Sequence, residues 1–206
     1  AAGKSGDITK TAAVWHRGGD DFHRTMSTAA IKDGLIYIAD LSGFVYCLDA
    51  KSGEIAWSRT VGGMVDSPPT ICGDLILFGC HDGRVYCLSA DDGRLAWQFR
   101  AAPGERLMVA MENVESTWPV HGSVLVRDGK AWCAAGRSPY LDGSIHVYAL
   151  EAASGEVVAE QTVFARGPQT FNTSKPKQSG AKTAPGMPDI LSASDDLVYM
   201  RWMAFD

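Results

Sequence analysis

Two stretches of the chain determine its fold. Residues 31–57 read IKDGLIYIADLSGFVYCLDAKSGEIAW, and residues 71–97 read ICGDLILFGCHDGRVYCLSADDGRLAW. The two align without a gap at an offset of 40 residues, and Val-Tyr-Cys-Leu recurs at 45–48 and 85–88. Self-similarity at a fixed period of this length indicates a repeat architecture.

A third, more divergent copy covers residues 126–160, and partial copies flank the three. The third copy repeats Asp-Gly at 128–129 and Val-Tyr-x-Leu at 147–150, but Ala159 stands where Trp57 and Trp97 stand in the others. Ala-Ala-Val-Trp at 12–15 is similar to the end of a preceding unit, and residues 190–205 are similar to the start of a following one.

Each copy divides into four strand-sized runs. In the first copy these are 27–31, 35–39, 43–48 and 54–59, rich in Val, Ile and Tyr and separated by Asp-Gly or Ser-Gly pairs. Such pairs supply the positive φ angles of tight hairpins. No window shows sustained helical periodicity. We therefore predict an all-β fold made of four-stranded antiparallel propeller blades. A solenoid is the competing repeat architecture, but hairpin-linked strands favour radial packing.

Composition and charge exclude several classes of function. With 46% hydrophobic residues, the 206-residue chain can form a real core. The net charge of −5 and the scattered Lys and Arg residues argue against nucleic acid as a partner. No apolar run approaches the ~20 residues of a transmembrane helix. The five cysteines are odd in number and lack Cys-x-x-Cys spacing, so we expect buried, reduced thiols and no zinc motif.

The block from Leu48 to Trp57 resembles the tryptophan-docking motif of quinoprotein (PQQ-like) β-propellers. The block from Leu88 to Trp97 fits the same motif, with Ser89 in place of the Asp. In this resemblance a glycine turns the chain between the third and fourth strands, and the Trp then covers the next blade. The residues assigned to this structural role are Asp49, Gly53, Trp57, Gly93 and Trp97.

The resemblance also predicts how the chain is organised. We expect one PQQ-like domain over residues 1–206, with blades near 27–59, 67–99 and 120–163, partial blades at 10–17 and 188–206, and an insertion loop at 164–187. Three complete and two partial blades form an arc, whereas rings of this family usually have seven or eight blades. We therefore expect further blades in the full-length chain or in another copy to complete the ring.

The family includes PQQ-dependent dehydrogenases and outer-membrane assembly lipoproteins. A dehydrogenase implies PQQ over a calcium ion, oxygen ligands from several blades and a vicinal disulfide, but this sequence has no Cys-Cys pair. Glu112, Asn113 and Glu115 offer oxygen ligands from a single loop only. We therefore predict a non-catalytic, exported, periplasmic binding or scaffold module without a cofactor. The alternatives are a fragment of a PQQ-dependent dehydrogenase and an outer-membrane protein assembly scaffold.

Departures from the repeat are the best candidates for a binding rim, because propeller loops on one rim carry function. They are His121, Arg137, Tyr140 and Asp142. The competing interpretation is that Arg137 and Asp142 form a structural ion pair. A metal pair formed by His16 and His23 is a minor hypothesis beside a polar inter-blade loop. The sequence assigns no catalytic, cofactor or metal residue, and the partner is an unidentified protein or small molecule.

Overall fold

The described part of the chain is all-β and forms a partial propeller arc. The computed structural model describes Trp15 and residues 27–110, 112–139, 142, 144–163, 191–200 and 203–205. The predicted insertion loop at 164–187, and all of the first partial blade except Trp15, lie outside these residues. No helix occurs among the described residues, and accordingly none of them forms a helix able to cross a membrane.

Three four-stranded antiparallel sheets follow one another along the chain, each in simple sequential strand order. The first comprises β1 (Ala30–Lys32), β2 (Leu35–Ala39), β3 (Phe44–Asp49) and β4 (Ile55–Thr60). The second comprises β5 (Thr70–Cys72), β6 (Leu75–Gly79), β7 (Arg84–Ser89) and β8 (Leu95–Arg100). The third comprises β11 (Leu125–Arg127), β12 (Lys130–Ala135), β13 (Ile145–Glu151) and β14 (Val157–Val163).

Two smaller sheets complete the described structure. Strands β9 (Leu107–Ala110) and β10 (Asn113–Ser116) form a separate hairpin between the second and third sheets. From the sequence, the region around Glu112, Asn113 and Glu115 was treated as a single loop, and its strands were not predicted. Strands β15 (Leu191–Ser194), β16 (Leu197–Met200) and β17 (Met203–Phe205) form a three-stranded sheet within the region expected to be a partial blade.

The tight turns have the backbone that their residues favour. Asp33 and Gly34 have φ values of 51° and 80°, so both central residues of the β1–β2 turn are left-handed, as in hairpin turns of type I′. In the β3–β4 turn the Asp49 carboxylate accepts hydrogen bonds from the backbone N–H groups of Lys51 and Ser52, at 2.9 and 2.7 Å. These bonds hold the pKa of Asp49 below its ordinary value.

The core lies between sheets, and the inner sheets are buried on both faces. In β6, Ile76 and Phe78 pack against the first sheet, whereas Leu77 packs against the third. This alternation follows from the two-residue period of a strand. A further cluster joins the third sheet to the last one through residues such as Val147 and Met200. All five cysteines are free, and all except the half-buried Cys72 are buried, as predicted for packing thiols.

One tryptophan contact recurs from blade to blade. In three places of the described chain the indole N–H of a Trp donates to a backbone carbonyl of the next blade. The indole ring then covers the glycine in the turn between the third and fourth strands of that blade. The sets are Trp15 with Ala50 (2.9 Å) and Gly53, Trp57 with Ala90 (2.9 Å) and Gly93, and Trp97 with Ala152 (3.1 Å) and Gly155. Trp57 is 8% exposed and Trp97 is half-buried.

Candidate functional site at the loop rim

The strand order brings five connections to one end of the sheets. Because successive strands are antiparallel, the connections from fourth to first strands and from second to third strands lie at the same end. We call this end the loop rim and define it by the described residues 40–43, 61–69, 80–83, 101–110, 112–124, 136–139, 142 and 144. Loops held by a rigid sheet scaffold are where binding residues concentrate.

The backbone of His81 is held between the two neighbouring connections. Its N–H donates to the carbonyl of Met64 at 2.9 Å, and its carbonyl accepts from the N–H of Ser116 at 2.8 Å. Asp66 lies two residues beyond Met64, and Glu115 directly precedes Ser116. These two backbone bonds therefore bring two carboxylates beside one imidazole.

His81, Glu115 and Arg137 form a chain of ionisable side chains that is buried at His81 and Glu115. His81 Nδ1 lies 2.5 Å from Oε2 of Glu115, and the other carboxylate oxygen accepts from the Arg137 guanidinium. The side chains of His81 and Glu115 are only 4% and 3% exposed. Arg137 is more exposed, and burial lowers its pKa from the ordinary value. The contact of Glu115 with His81 Nδ1, itself held by Arg137, fixes the orientation of the histidine.

On its other side, His81 meets Asp66 and His121. Nε2 of His81 and Nδ1 of His121 lie 2.9 and 3.0 Å from the same oxygen, Oδ2 of Asp66. The two imidazole rings are nearly perpendicular, with centroids 4.4 Å apart. Burial raises the pKa of Asp66, but the contacts with His121 and His81 outweigh it and hold that pKa well below its ordinary value. We call Asp66, His81 and His121 the rim triad.

A second ion pair ties the hairpin to the third blade. Arg106, just before β9, pairs with Asp142 of the β12–β13 loop, and its guanidinium lies 5.1 Å from the centroid of the Trp118 ring. The Trp118 indole N–H donates to the carbonyl of Asp142 at 2.8 Å. The predicted pair between Arg137 and Asp142 is therefore wrong, because Arg137 pairs with Glu115 and Asp142 with Arg106.

The predicted rim residues fall into different groups. His121 belongs to the rim triad, Arg137 supports His81 through Glu115, and Asp142 belongs to the other ion pair. Tyr140 lies outside the described residues, as do His16 and His23 of the hypothetical metal pair. No role was predicted for His81 from the sequence, although its counterpart in the first repeat is Leu41. That apolar-to-imidazole change was the signal that could have found it.

The structure separates the three oxygen-bearing side chains that the sequence places in one loop. Glu112 and Asn113 are exposed, whereas Glu115 is buried against His81 and Arg137. The three therefore do not converge on one point. The rim triad does converge, since one ligand atom from each residue lies within 4.8 Å of the others. Its donors are two imidazoles and one carboxylate, which suit transition metals better than calcium.

The fold and rim define a partial β-propeller with a polar cluster on one rim. A family model described as outer membrane protein assembly factor BamB, of the PQQ-like propeller type, matches residues 7–185. The chain therefore belongs to this family. A search of curated proteins found no significant match.

Solved structures share the fold at low sequence identity. Quinohemoprotein alcohol dehydrogenase ADHIIG from Pseudomonas putida HK5 matches with a TM-score of 0.66 and 17% identity over 85% of this chain and 28% of its own. The quinohemoprotein alcohol dehydrogenase of Comamonas testosteroni gives 0.57 and 19% over 68% and 21%. The computationally designed Ika4 protein gives 0.52 and 13% over 86% of both chains. This chain thus spans less than a third of either dehydrogenase.

Proposed function

We propose that this chain is part of a non-catalytic, exported propeller that binds a protein partner through its loop rim. The observation that carries the proposal is an apolar face on the hairpin β9–β10. Leu107, Val109 and Val114 are 61%, 73% and 63% exposed. Val109 and Val114 are directly paired across the hairpin, and Leu107 lies two residues before Val109 on the same face.

The opposite face of the hairpin is anchored in the molecule. Glu115 points inward to His81 and Arg137, so the residue after an exposed valine is almost fully buried. At the base, Arg106 pairs with Asp142. A hairpin fixed on one face and apolar on the other presents a preorganised contact surface, and exposed apolar patches commonly mark sites of protein interaction.

The family supports a protein partner and an envelope location. The matching family model is named for an outer membrane protein assembly factor. We propose by that likeness that the chain acts as a scaffold in the bacterial periplasm. We also propose that the recurring Trp contacts are the tryptophan-docking motif of this family, which would hold the rim loops of neighbouring blades in a fixed relation.

Site-specific photocrosslinking in the full-length protein, inside its own host, tests the partner proposal. A benzophenone amino acid at Val109 should give a discrete adduct with a protein partner, identified by mass spectrometry. The matched control is Leu95, a strand residue on β8 that is 53% exposed and lies away from the hairpin. Adding Val114→Asp should abolish the Val109 adduct. The proposal fails if both positions give the same adducts or neither gives any.

The dehydrogenase alternative is supported by the fold shared with quinohemoprotein alcohol dehydrogenases. Its test is titration of the full-length protein with PQQ and calcium, followed by tryptophan fluorescence and by dye-linked alcohol oxidation. We expect neither saturable micromolar binding nor oxidation. Both results together would replace the scaffold proposal with the dehydrogenase.

A further inference from the structure

We infer that the rim triad, Asp66, His81 and His121, binds a divalent transition-metal ion of the zinc type. The inference goes beyond the proposed function and stands independently of the partner. Three potential ligand atoms, one from each of three separate connections, lie within 4.8 Å of one another. Among the described residues, no other group of histidine, cysteine and carboxylate side chains has this geometry.

The hydrogen bond between Glu115 and His81 determines which imidazole nitrogen is available. Arg137 donates to one oxygen of Glu115, and a guanidinium can only donate, so Glu115 acts as an acceptor toward it. With its carboxylate ionised in this pair, Glu115 accepts from His81 Nδ1 at 2.5 Å. The proton of a neutral His81 is therefore on Nδ1, and the buried Nε2 carries an unprotonated lone pair.

That lone pair faces an anionic oxygen without a hydrogen bond between them. His81 Nε2 lies 2.9 Å from Asp66 Oδ2, yet it has no aligned hydrogen-bond partner among the described residues. Two electron-rich atoms at this distance repel unless a positive charge lies close to both. A second proton on His81 would prefer a linear bond to the oxygen. A metal ion bound to both atoms does not require that linear arrangement.

The distances suit a small ion after a minor opening of the cluster. Zinc lies about 2.0–2.2 Å from nitrogen and oxygen ligands, which places tetrahedral ligand atoms about 3.4 Å apart. Oδ2 of Asp66 is 2.9 Å from Nε2 of His81 and 3.0 Å from Nδ1 of His121. Both distances must therefore lengthen by a few tenths of an ångström when the ion binds. Asp66 and His121 are each 24% exposed, which leaves a side of the site open to water as a fourth ligand.

The hydrogen bonds around His81 resemble those that orient the ligands of metal sites. A metal-ligating histidine usually donates its second ring N–H to a carboxylate, which raises its basicity and fixes its orientation. Glu115 does this for His81, and Arg137 holds Glu115. The second oxygen of Asp66, Oδ1, is buried and has no hydrogen-bond partner among the described residues, so it can accept from a metal-bound water. Glu115 and Arg137 are therefore positioning residues.

Calorimetric titration of the EDTA-treated full-length protein with Zn²⁺ tests the inference. We expect one equivalent to bind at this site, and Co²⁺ in its place to give the visible bands of a tetrahedral ion. His121→Ala and Asp66→Asn should each remove this binding or weaken it at least about 100-fold. Glu115→Gln should weaken it about 10–100-fold while keeping the stoichiometry, as for other residues that support metal ligands.

The matched control is His146→Ala. His146 lies on β13 and contacts Ser144 and Thr162 outside the rim triad, so its removal should leave zinc affinity unchanged. Zinc should raise the melting temperature of the wild type and of His146→Ala, but not that of a folded His121→Ala variant. Absence of saturable binding, or equal affinity in His121→Ala and the wild type, would overturn the inference.

Discussion

Gly93→Ala should test the Trp-glycine contact between blades more sharply than removal of the tryptophan. Gly93 has φ of +67°, and a Cβ added there would lie 2.6 Å from Cε3 and 2.8 Å from Cδ2 of Trp57. The indole cannot easily move away, since Trp57 is 8% exposed and its N–H donates to Ala90 at 2.9 Å.

Two physical effects contribute to the expected destabilisation. A left-handed backbone costs a residue with a Cβ about 1–2 kcal/mol. Overpacking against a fixed neighbour costs about 1–3 kcal/mol more, so Gly93→Ala should lower the free energy of unfolding by about 2–5 kcal/mol. The matched control is Gly73→Ala in the same blade, where φ is +57° and no atom lies within 4 Å of the added Cβ. It should cost only the backbone contribution.

A double-mutant cycle with Trp57→Ala separates the two effects. Trp57→Ala alone should cost about 3–5 kcal/mol, as for other buried aromatic truncations. In that background the added methyl of Gly93→Ala no longer meets the indole, so its cost should fall to about 1–2 kcal/mol. Urea unfolding followed by far-UV circular dichroism measures all four proteins. Equal costs for Gly93→Ala and Gly73→Ala, together with strict additivity in the cycle, would refute the contact as a source of stability.

Two further predictions concern buried groups. Iodoacetamide at about pH 8 should label half-buried Cys72 in the native protein and leave Cys133 unmodified, because burial raises the pKa of the Cys133 thiol to about 12. Mass spectrometry of the peptides measures the two labelling rates, and equal rates would contradict the prediction. Glu115→Gln should cost about 3 kcal/mol by leaving Arg137 and His81 without their buried anion, whereas Arg106→Gln on the exposed pair should cost less than about 1 kcal/mol. Urea titration compares the two variants, and similar costs would show that Glu115 does not stabilise the fold through its charge.

The blade architecture was predictable because its determinants are local. Asp33-Gly34 sets a turn through the backbone preferences of those two residues. Consecutive apolar residues such as Ile76 and Leu77 point to opposite faces of their strand and so supply a core on each side. The departures were harder to predict. The hairpin β9–β10 has no counterpart in the first two repeats, so the period gave no guide to its strands.

The candidate site was only partly predictable, because each residue depends on a distant one. His121 and Arg137 were selected as departures from the repeat, but the sequence did not pair Arg137 with Glu115 or Asp142 with Arg106. Arg137 and Asp142 are close in sequence, which favoured the wrong pair. In the structure Glu115 of the hairpin and Arg106, just before it, supply the two partners.

The sequence by itself determined the repeat, the four-stranded unit and the positions of the recurring Trp and Gly, since all follow from period, turn chemistry and strand alternation. Only the tertiary structure decided that Asp66, His81 and His121 meet. These residues lie in three different connections, and they converge because antiparallel strands return those connections to one rim and because the His81 backbone is hydrogen-bonded to both neighbours. That convergence depends on packing between blades, which no local pattern records.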